Sequence, residues 1–96
     1  MPSFEQHCAE ARTTFGAPFE DVHRWLDEYA GRPPWGMRHR RLRHHQSGIE
    51  QVRVLWGNTA ADAARQHIMA DLRLEGWTTE CPFPRNEEEY VRMGLF

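Results

Sequence analysis

Histidines and one aspartate occur at spacings that let several helices direct them toward a common point. His23 lies on the apolar face of one predicted helix, and His45 lies on the apolar face of the next, with His44 on its flank. His67 and Asp71 are four residues apart, which places both on one face of a further helix, one turn apart. If these helices pack together, the imidazole and carboxylate groups meet.

The chemistry available to such a group is the binding of a divalent metal ion. Neutral imidazole and carboxylate are good ligands for Zn, Mn, Fe and Ni. The residues predicted to form this site are His23, His44, His45, His67 and Asp71. The alternative is a buried hydrogen-bond network without a metal, in which Asp71 accepts from one of the rings. Converging polar groups in a small core cost free energy unless something offsets their desolvation, and that cost is the reason to consider a bound ion.

Residues 38–45 form a second cluster, with four arginines and three histidines in eight positions. The arginines are Arg38, Arg40, Arg41 and Arg43. They can bind an anion such as a phosphate, a nucleotide or a nucleic-acid backbone. We favour the alternative, in which they pair with acidic residues of the same chain: Asp27 and Glu28, or residues 87–89. The formal net charge of -2 argues against binding to an extended duplex.

The elements that position these residues are predicted to be helices. Sustained strand-like alternation is absent, and apolar residues recur at helical spacing. The predicted helices cover about residues 4–14, 19–30, 37–56, 59–74 and 87–93. The expected N-caps are Ser3, Thr59 and Asn86, and Gly16 and Gly57 mark two of the helix ends.

Together these elements predict an all-α protein, a compact bundle of four helices with an extended C-terminal tail and a short last helix. A chain of 96 residues is the size of one domain, so residues 1–96 are expected to form a single helical domain. The apolar C-terminus, residues 93–96, is expected to dock on the same chain or to mediate formation of a homo-oligomer.

Several sequence features indicate a cytoplasmic protein that does not enter a membrane. No apolar run approaches the roughly 18 residues of a membrane span. The first ten residues show neither the basic nor the apolar region of a signal peptide. Cys8 and Cys81 lack the spacing of a metal or redox motif and are interpreted as reduced thiols.

Three short motifs taken together resemble a family of small uncharacterised helical proteins of bacteria and phages. The first is H-x-x-L-D beginning at His23, the second is H-R-x-x-R-H-x-x-x-G-I beginning at His39, and the third is H-x-x-x-D-L beginning at His67. The resemblance covers about residues 4–85, which is most of the chain.

The resemblance implies a set of site positions and no reaction. These positions are His23, His39, Arg40, His44, Gly48, His67 and Asp71. The resemblance prefers His44, whereas helical periodicity prefers His45, so both stay open as members of the site.

A second resemblance is to HD-type metal phosphohydrolases, which are helical and use histidines and aspartates from several helices. Those enzymes are longer and have an adjacent His-Asp pair, where this chain has His44 and His45. The resemblance suggests a chemistry and assigns no residues. If the protein is an enzyme, we expect a metal-activated water to attack a phosphoester, with the metal held by His23, His44 or His45, His67 and Asp71. Arg40 or Arg43 would then stabilise the phosphoryl oxygens.

The sequence leaves three functional hypotheses and does not decide whether the protein is an enzyme. The first is an inward-facing His/Asp site that holds a divalent metal and is hydrolase-like if it is catalytic. The second is a non-catalytic interaction or oligomerisation module with a structural His/Asp network. The third is binding of phosphate or nucleic acid through residues 38–43.

Overall fold

The computed structural model describes residues 3–95, apart from the side chain of Met37, and this range contains helices and no strand. The α-helices are α1 (Phe4–Phe15), α2 (Glu20–Leu26), α3 (Gln46–Trp56), α4 (Asn58–Leu74) and α5 (Glu87–Arg92), and a 3-10 helix spans Gly36–Leu42. The predicted all-α class is confirmed. None of the helices in the described range combines the length and the hydrophobicity that a membrane span requires.

Local capping determines where the first and last helices begin. The Ser3 side chain accepts the backbone N–H of Gln6, whose side chain in turn accepts the N–H of Ser3, so α1 starts with a capping box. Gly16 ends α1 in the left-handed conformation, with φ 82°. The Asn86 side chain accepts the N–H of Glu89 at the start of α5. These caps are confirmed.

Helix α4 is the central element, and it packs against α1, α2 and α3. Its inner face carries small side chains, which let neighbouring helices approach closely. Those fully covered alanines are Ala60, Ala61, Ala63 and Ala64. The apolar core also contains Val22, Leu26, Ile49, Val52, Ile68, Leu72, Trp77 and Tyr90. The predicted cap Thr59 is wrong, because α4 begins at Asn58 and its N-cap is Gly57, two residues before Thr59.

The predicted continuous helix over residues 37–56 is wrong, because the chain breaks at residues 43–45. His45 is extended, with φ -158° and ψ 176°, and its Nδ1 accepts the N–H of Gly48 at 3.2 Å. A Cβ at Gly48 would lie 1.9 Å from the carbonyl oxygen of Arg43, so only glycine permits this close return of the chain. The break rotates the segment before α3 relative to α3, which changes where His44 and His45 point.

The C-terminal tail supports the start of α3. The backbone N–H groups of Gln46 and Ser47 donate to the carbonyl oxygens of Pro84 and Arg85, each at 2.9 Å. The first N–H groups of a helix have no partner within the helix, so the tail satisfies two groups that would otherwise be unpaired.

Helix α2 ends at Leu26, four residues before its predicted end. The carbonyl oxygen of Trp25 accepts a hydrogen bond of 2.6 Å from the Arg43 guanidinium. The same carbonyl accepts the Glu28 N–H at 3.3 Å, so a distant side chain and a backbone turn share it where the helix ends, and Asp27 is the residue that follows the helix.

The apolar C-terminus packs on its own chain. Met93 and Leu95 contact the core, and the N–H of Leu95 donates to the carbonyl of Tyr90 at 3.3 Å. Phe96, the last member of the apolar C-terminus, lies outside the described residues. Docking on the same chain is thus confirmed for Met93 and Leu95, and the homo-oligomer stays a prediction.

Candidate metal site

Two imidazoles and two carboxylates converge in the interior, and we call Asp27, His44, His67 and Asp71 the His/Asp group. Each residue offers one ligand atom, and the four atoms lie within 4.8 Å of one another. His44 Nε2 lies 3.0 Å and His67 Nε2 lies 3.3 Å from Asp71 Oδ2. Asp27 closes the group, since its Oδ1 is 3.6 Å from His44 Nε2 and its Oδ2 is 3.5 Å from His67 Nε2.

Three parts of the fold deliver these side chains. Helix α4 supplies His67 and Asp71 one turn apart, as their spacing predicts. His44 comes from the break before α3, and Asp27 comes from the residue that follows α2. The side chains of His44, His67 and Asp71 are at most 2% exposed, whereas that of Asp27 is 36% exposed, so the group is open to solvent on the Asp27 side.

The hydrogen-bond geometry leaves polar atoms of the group without partners. Nε2 of His67 and Oδ1 of Asp71 are buried, and within the described part of the chain neither makes a hydrogen bond of full geometry, although His67 Nε2 lies 3.3 Å from Asp71 Oδ2 and Asp71 Oδ1 lies 3.4 Å from His7 Nε2. Buried polar atoms in native proteins are nearly always satisfied, and an ion is one way to satisfy them. Because both atoms belong to the same group, a single cation would lie near each of them.

The pKa shifts favour the protonation states that a metal ligand needs. Burial lowers the pKa of His44 to about 4, despite its hydrogen bond to Asp71. Burial alone would raise the pKa of both aspartates, but their contacts with the surrounding histidines more than reverse this and lower the pKa of Asp27 and Asp71 below its usual range. At neutral pH the carboxylates are thus charged and His44 is neutral, which are the ligating forms.

The pKa of His67 shifts the other way. Burial lowers it, but the two carboxylates beside Nε2 outweigh that effect and raise the pKa of His67 above its ordinary value. Without a cation, a proton on His67 therefore balances part of the negative charge of Asp27 and Asp71.

Three histidines, His7, His23 and His67, form a second group, which shares His67 with the His/Asp group. Nδ1 of His23 and Nδ1 of His67 are 2.9 Å apart, and the two rings are within 19° of parallel. His7 stacks on His67 with a centroid separation of 3.6 Å. The lone pairs of imidazole lie in the ring plane, so stacked rings do not direct them toward one ion. The geometry instead gives a hydrogen bond and a stack.

The predicted residue His23 therefore lies behind His67 and outside the His/Asp group. Its neighbour in the prediction, His45, is also outside, because its Nδ1 caps α3. The structure brings together His44, His67 and Asp71 of the predicted set. The choice between adjacent histidines thus follows the resemblance, which preferred His44, and differs from the periodicity, which assumed an unbroken helix.

The remaining predicted site residues support the group from outside. His39 Nε2 is 3.1 Å from Asp27 Oδ1. Arg40 is buried, with Nη2 3.6 Å from Asp71 Oδ1 and Nη1 3.3 Å from Glu75 Oε2. Gly48 acts through the backbone, because its close contact with Arg43 creates the break that carries His44.

The predicted arginine cluster is divided between different surroundings. Arg41 pairs with Glu87 at 3.0 Å, and Arg43 pairs with Glu28 at 2.7 Å while lying over the Trp25 ring. The intramolecular alternative is thus confirmed for these two arginines. Arg40 faces the His/Asp group, and the side chain of Arg38 is exposed. Binding of phosphate or nucleic acid stays a prediction.

Sequence reasoning missed two residues, Asp27 and His7. Asp27 follows His23 at the same four-residue spacing that joins His67 to Asp71, and this repeated H-x-x-x-D pattern was a signal for it. His7 lies four residues before the buried Ala11 on α1, and its Nε2 is 3.4 Å from Asp71 Oδ1. Periodicity along α1 could have placed His7 inside the protein.

Comparison with known families gives one result. Residues 2–80 match the model of the family described as Domain of unknown function (DUF6915). The chain belongs to this family. The matched part of this DUF6915 protein contains all four residues of the His/Asp group and helices α1–α4, and it ends before α5. Comparisons with curated proteins and with solved structures give no match. Membership of an uncharacterised family is confirmed, and the resemblance to HD-type phosphohydrolases stays a prediction.

Proposed function

We propose that this DUF6915 protein binds one divalent metal ion through Asp27, His44, His67 and Asp71. The observation that carries the proposal is the convergence of two imidazole nitrogens and two carboxylate oxygens within 4.8 Å in a largely buried place. The two carboxylates also balance the charge of a divalent cation, so the ion and its four ligands together would carry no net charge.

The spacing of the ligand atoms supports a single ion. Metal–ligand bonds of about 2.0–2.2 Å in a tetrahedral arrangement separate neighbouring ligand atoms by about 3.3–3.6 Å. Asp71 Oδ2 lies 3.0 and 3.3 Å from the Nε2 atoms of His44 and His67, and Asp27 faces the same two atoms at 3.6 Å through Oδ1 and at 3.5 Å through Oδ2. Small side-chain adjustments would therefore suffice to coordinate an ion.

The ligand types favour a transition metal or zinc. Imidazole suits Zn, Fe and Ni, and carboxylates extend the range to Mn, whereas Ca and Mg prefer sites made of oxygen alone. No thiol lies in the group, which argues against Cu(I).

The same site is hydrolase-like only if the ion accepts more than four ligands. A structural zinc site fills its coordination with protein ligands, and a catalytic site keeps a position for water or substrate. A five- or six-coordinate ion would have that position on the exposed Asp27 side. Arg40 is then the cation nearest to the group that could stabilise a phosphoryl oxygen.

A metal-free network is the second candidate. It is favoured by the raised pKa of His67, since a proton there bridges the same two carboxylates. Arg40 adds a second positive charge beside Asp71. In this case the His/Asp group would stabilise the fold, and the protein's activity would lie elsewhere.

Metal content decides between the two candidates. Untagged protein purified without chelators is analysed for metals, and then titrated with Zn²⁺ and Mn²⁺. We expect about one ion per chain, and loss of binding in His44→Asn. The matched control is His45→Asn, because asparagine is also a good N-cap and residue 45 is outside the group. A wild-type protein that contains no metal and binds neither ion would overturn the proposal and favour the network.

A further inference from the structure

We propose that His23 is a positioning residue that holds His67 in the tautomer needed to bind the metal. The inference rests on the proposed metal site and concerns a residue that would not touch the ion. Its basis is the contact between Nδ1 of His23 and Nδ1 of His67, which are 2.9 Å apart and both buried.

The geometry identifies this contact as a hydrogen bond in the plane of both rings. The rings are within 19° of parallel, and their centroids are 5.1 Å apart. This centroid separation nearly equals the sum of the distance between the two Nδ1 atoms and, for each ring, the distance from its centre to Nδ1. The two nitrogens thus lie on the line between the ring centres, where an N–H of one ring meets the lone pair of the other.

Only one hydrogen atom can occupy this contact, and its owner decides what His67 does on its other side. If neutral His23 donates, neutral His67 carries its proton on Nε2, which faces Asp27 and Asp71 and cannot then bind a cation. If neutral His67 donates from Nδ1, its Nε2 carries no proton and directs a lone pair toward Asp27 and Asp71. Metal binding by Nε2 therefore requires Nδ1 of His23 to accept.

The surroundings of His23 allow the accepting form. The ring is buried against the rings of His7 and His67, and none of the ion pairs within residues 3–95 includes His23. A neutral imidazole carries one proton on either of its two nitrogens. With that proton on Nε2, the Nδ1 atom of His23 accepts the hydrogen bond from His67.

His7 helps to keep the rings of His23 and His67 in one plane. Its ring stacks on His67 at 3.6 Å and lies 5.5 Å from His23, within 19° of parallel to each. Stacking restricts rotation of His67 out of the plane it shares with His23. His7 and His23 would thus fix the orientation of the His67 ring and the nitrogen that carries its proton, as the hydrogen-bond partners of metal-bound histidines commonly do.

Two substitutions separate hydrogen bonding from packing. His23→Leu fills much of the volume but cannot accept a hydrogen bond. His23→Asn places a carboxamide oxygen close to the position of Nδ1 and can accept. The probe is Co²⁺, whose visible absorption reports the geometry of its ligands, and Zn²⁺ affinity is measured by displacement of Co²⁺. Circular dichroism checks that each variant is folded.

We expect Zn²⁺ affinity to fall by about 10- to 100-fold in His23→Leu and to stay near the wild-type value in His23→Asn. In the loaded wild-type protein, ¹⁵N NMR should show His67 protonated at Nδ1. Wild-type affinity in His23→Leu, an equal loss in both variants, or a proton on Nε2 of His67 would each overturn the positioning role. If the wild-type protein binds neither metal, the proposed function itself fails, and this outcome differs from all three.

Discussion

Two segments of the chain carry a histidine followed four residues later by an aspartate, and they contribute to the site in different ways. In α4 the helix continues through both residues, so His67 and Asp71 face the same point. In α2 the helix ends at Leu26, and the pair is split: Asp27 joins the His/Asp group while His23 lies behind His67. The same sequence spacing therefore places two proposed ligands together in one case, and one proposed ligand and one residue behind His67 in the other.

Burial differs between the two aspartates as well. Asp71 is 2% exposed and lies near His7, Arg40, His44 and His67. Asp27 is 36% exposed at its side chain. An intact helix thus places its carboxylate in the interior, and a helix end places its carboxylate at the surface.

The largest expected effect is a difference in stability between the two aspartates. Asp71→Asn leaves the buried Arg40 without one of its two carboxylate partners, and breaking a buried ion pair costs about 3–5 kcal/mol. Asp27→Asn should cost about 1 kcal/mol or less, because that carboxylate is partly exposed. Urea unfolding of metal-free protein measures both. Equal losses would mean that burial does not distinguish the aspartates.

Metal loading should reduce that contrast, because both aspartates bind the same ion. At a free metal concentration of 100 times Kd, a bound ion stabilises the folded protein by about 2.7 kcal/mol. We expect the metal to raise the Tm of the wild-type protein by an amount that corresponds to this free energy. At the same metal concentration, we expect no rise in the Tm of either Asp→Asn variant. Asp62→Asn, an exposed change on α4, is the matched control. If an Asp→Asn variant keeps the full metal-dependent shift, the substituted aspartate does not bind the ion.

His44 lies beside both aspartates. A substitution that displaces His44 therefore tests whether the His/Asp group depends on the break before α3. Gly48→Ala places a methyl group against the Arg43 carbonyl, and such overpacking costs about 1–3 kcal/mol. We expect this variant to lose stability and metal affinity together. The control is Gln51→Ala, an exposed position of the same helix. Unchanged metal binding in a destabilised Gly48→Ala would show that His44 does not need the break.

The smallest expected effect is a difference in titration between the two histidines of the H-x-x-x-D pairs. His23 has a pKa lowered to about 4, so it contributes stability that is lost as pH falls from about 6.5 toward 4. His67 has a raised pKa, so its contribution is present below about 6.5 and is lost as pH rises through its folded-state pKa. NMR titration of the ring protons in metal-free protein measures both directions. If the pKa values of His23 and His67 shift in the same direction, the predicted difference between the two histidines is wrong.

The helices that begin and end through local contacts were predictable from the sequence. Ser3, Gly16 and Asn86 act through neighbours within four residues, and their roles follow from residue type. The i, i+4 placement of His67 and Asp71 is equally local, and it holds because α4 is unbroken.

The parts that were not predictable depend on distant partners. The break at residues 43–45 requires the Gly48 contact and tail carbonyls that receive the first N–H groups of α3. At the early end of α2, the Trp25 carbonyl accepts a hydrogen bond from the distant Arg43 as well as from the nearby Glu28 N–H. Helical periodicity contains no information on these contacts, so it favoured His45 over His44 and left Asp27 among the pairing partners of the arginines.

The tail has a consequence for how this family can be dissected. A chain truncated after residue 80 would keep every residue of the His/Asp group and the whole family-matched segment. It would nevertheless lose the Pro84 and Arg85 acceptors at the start of α3, and with them the Glu87 partner of Arg41. A boundary drawn at residue 80 would therefore remove contacts that support the start of α3 beside His44, and we expect the shortened chain to bind the proposed ion more weakly than the 96-residue chain.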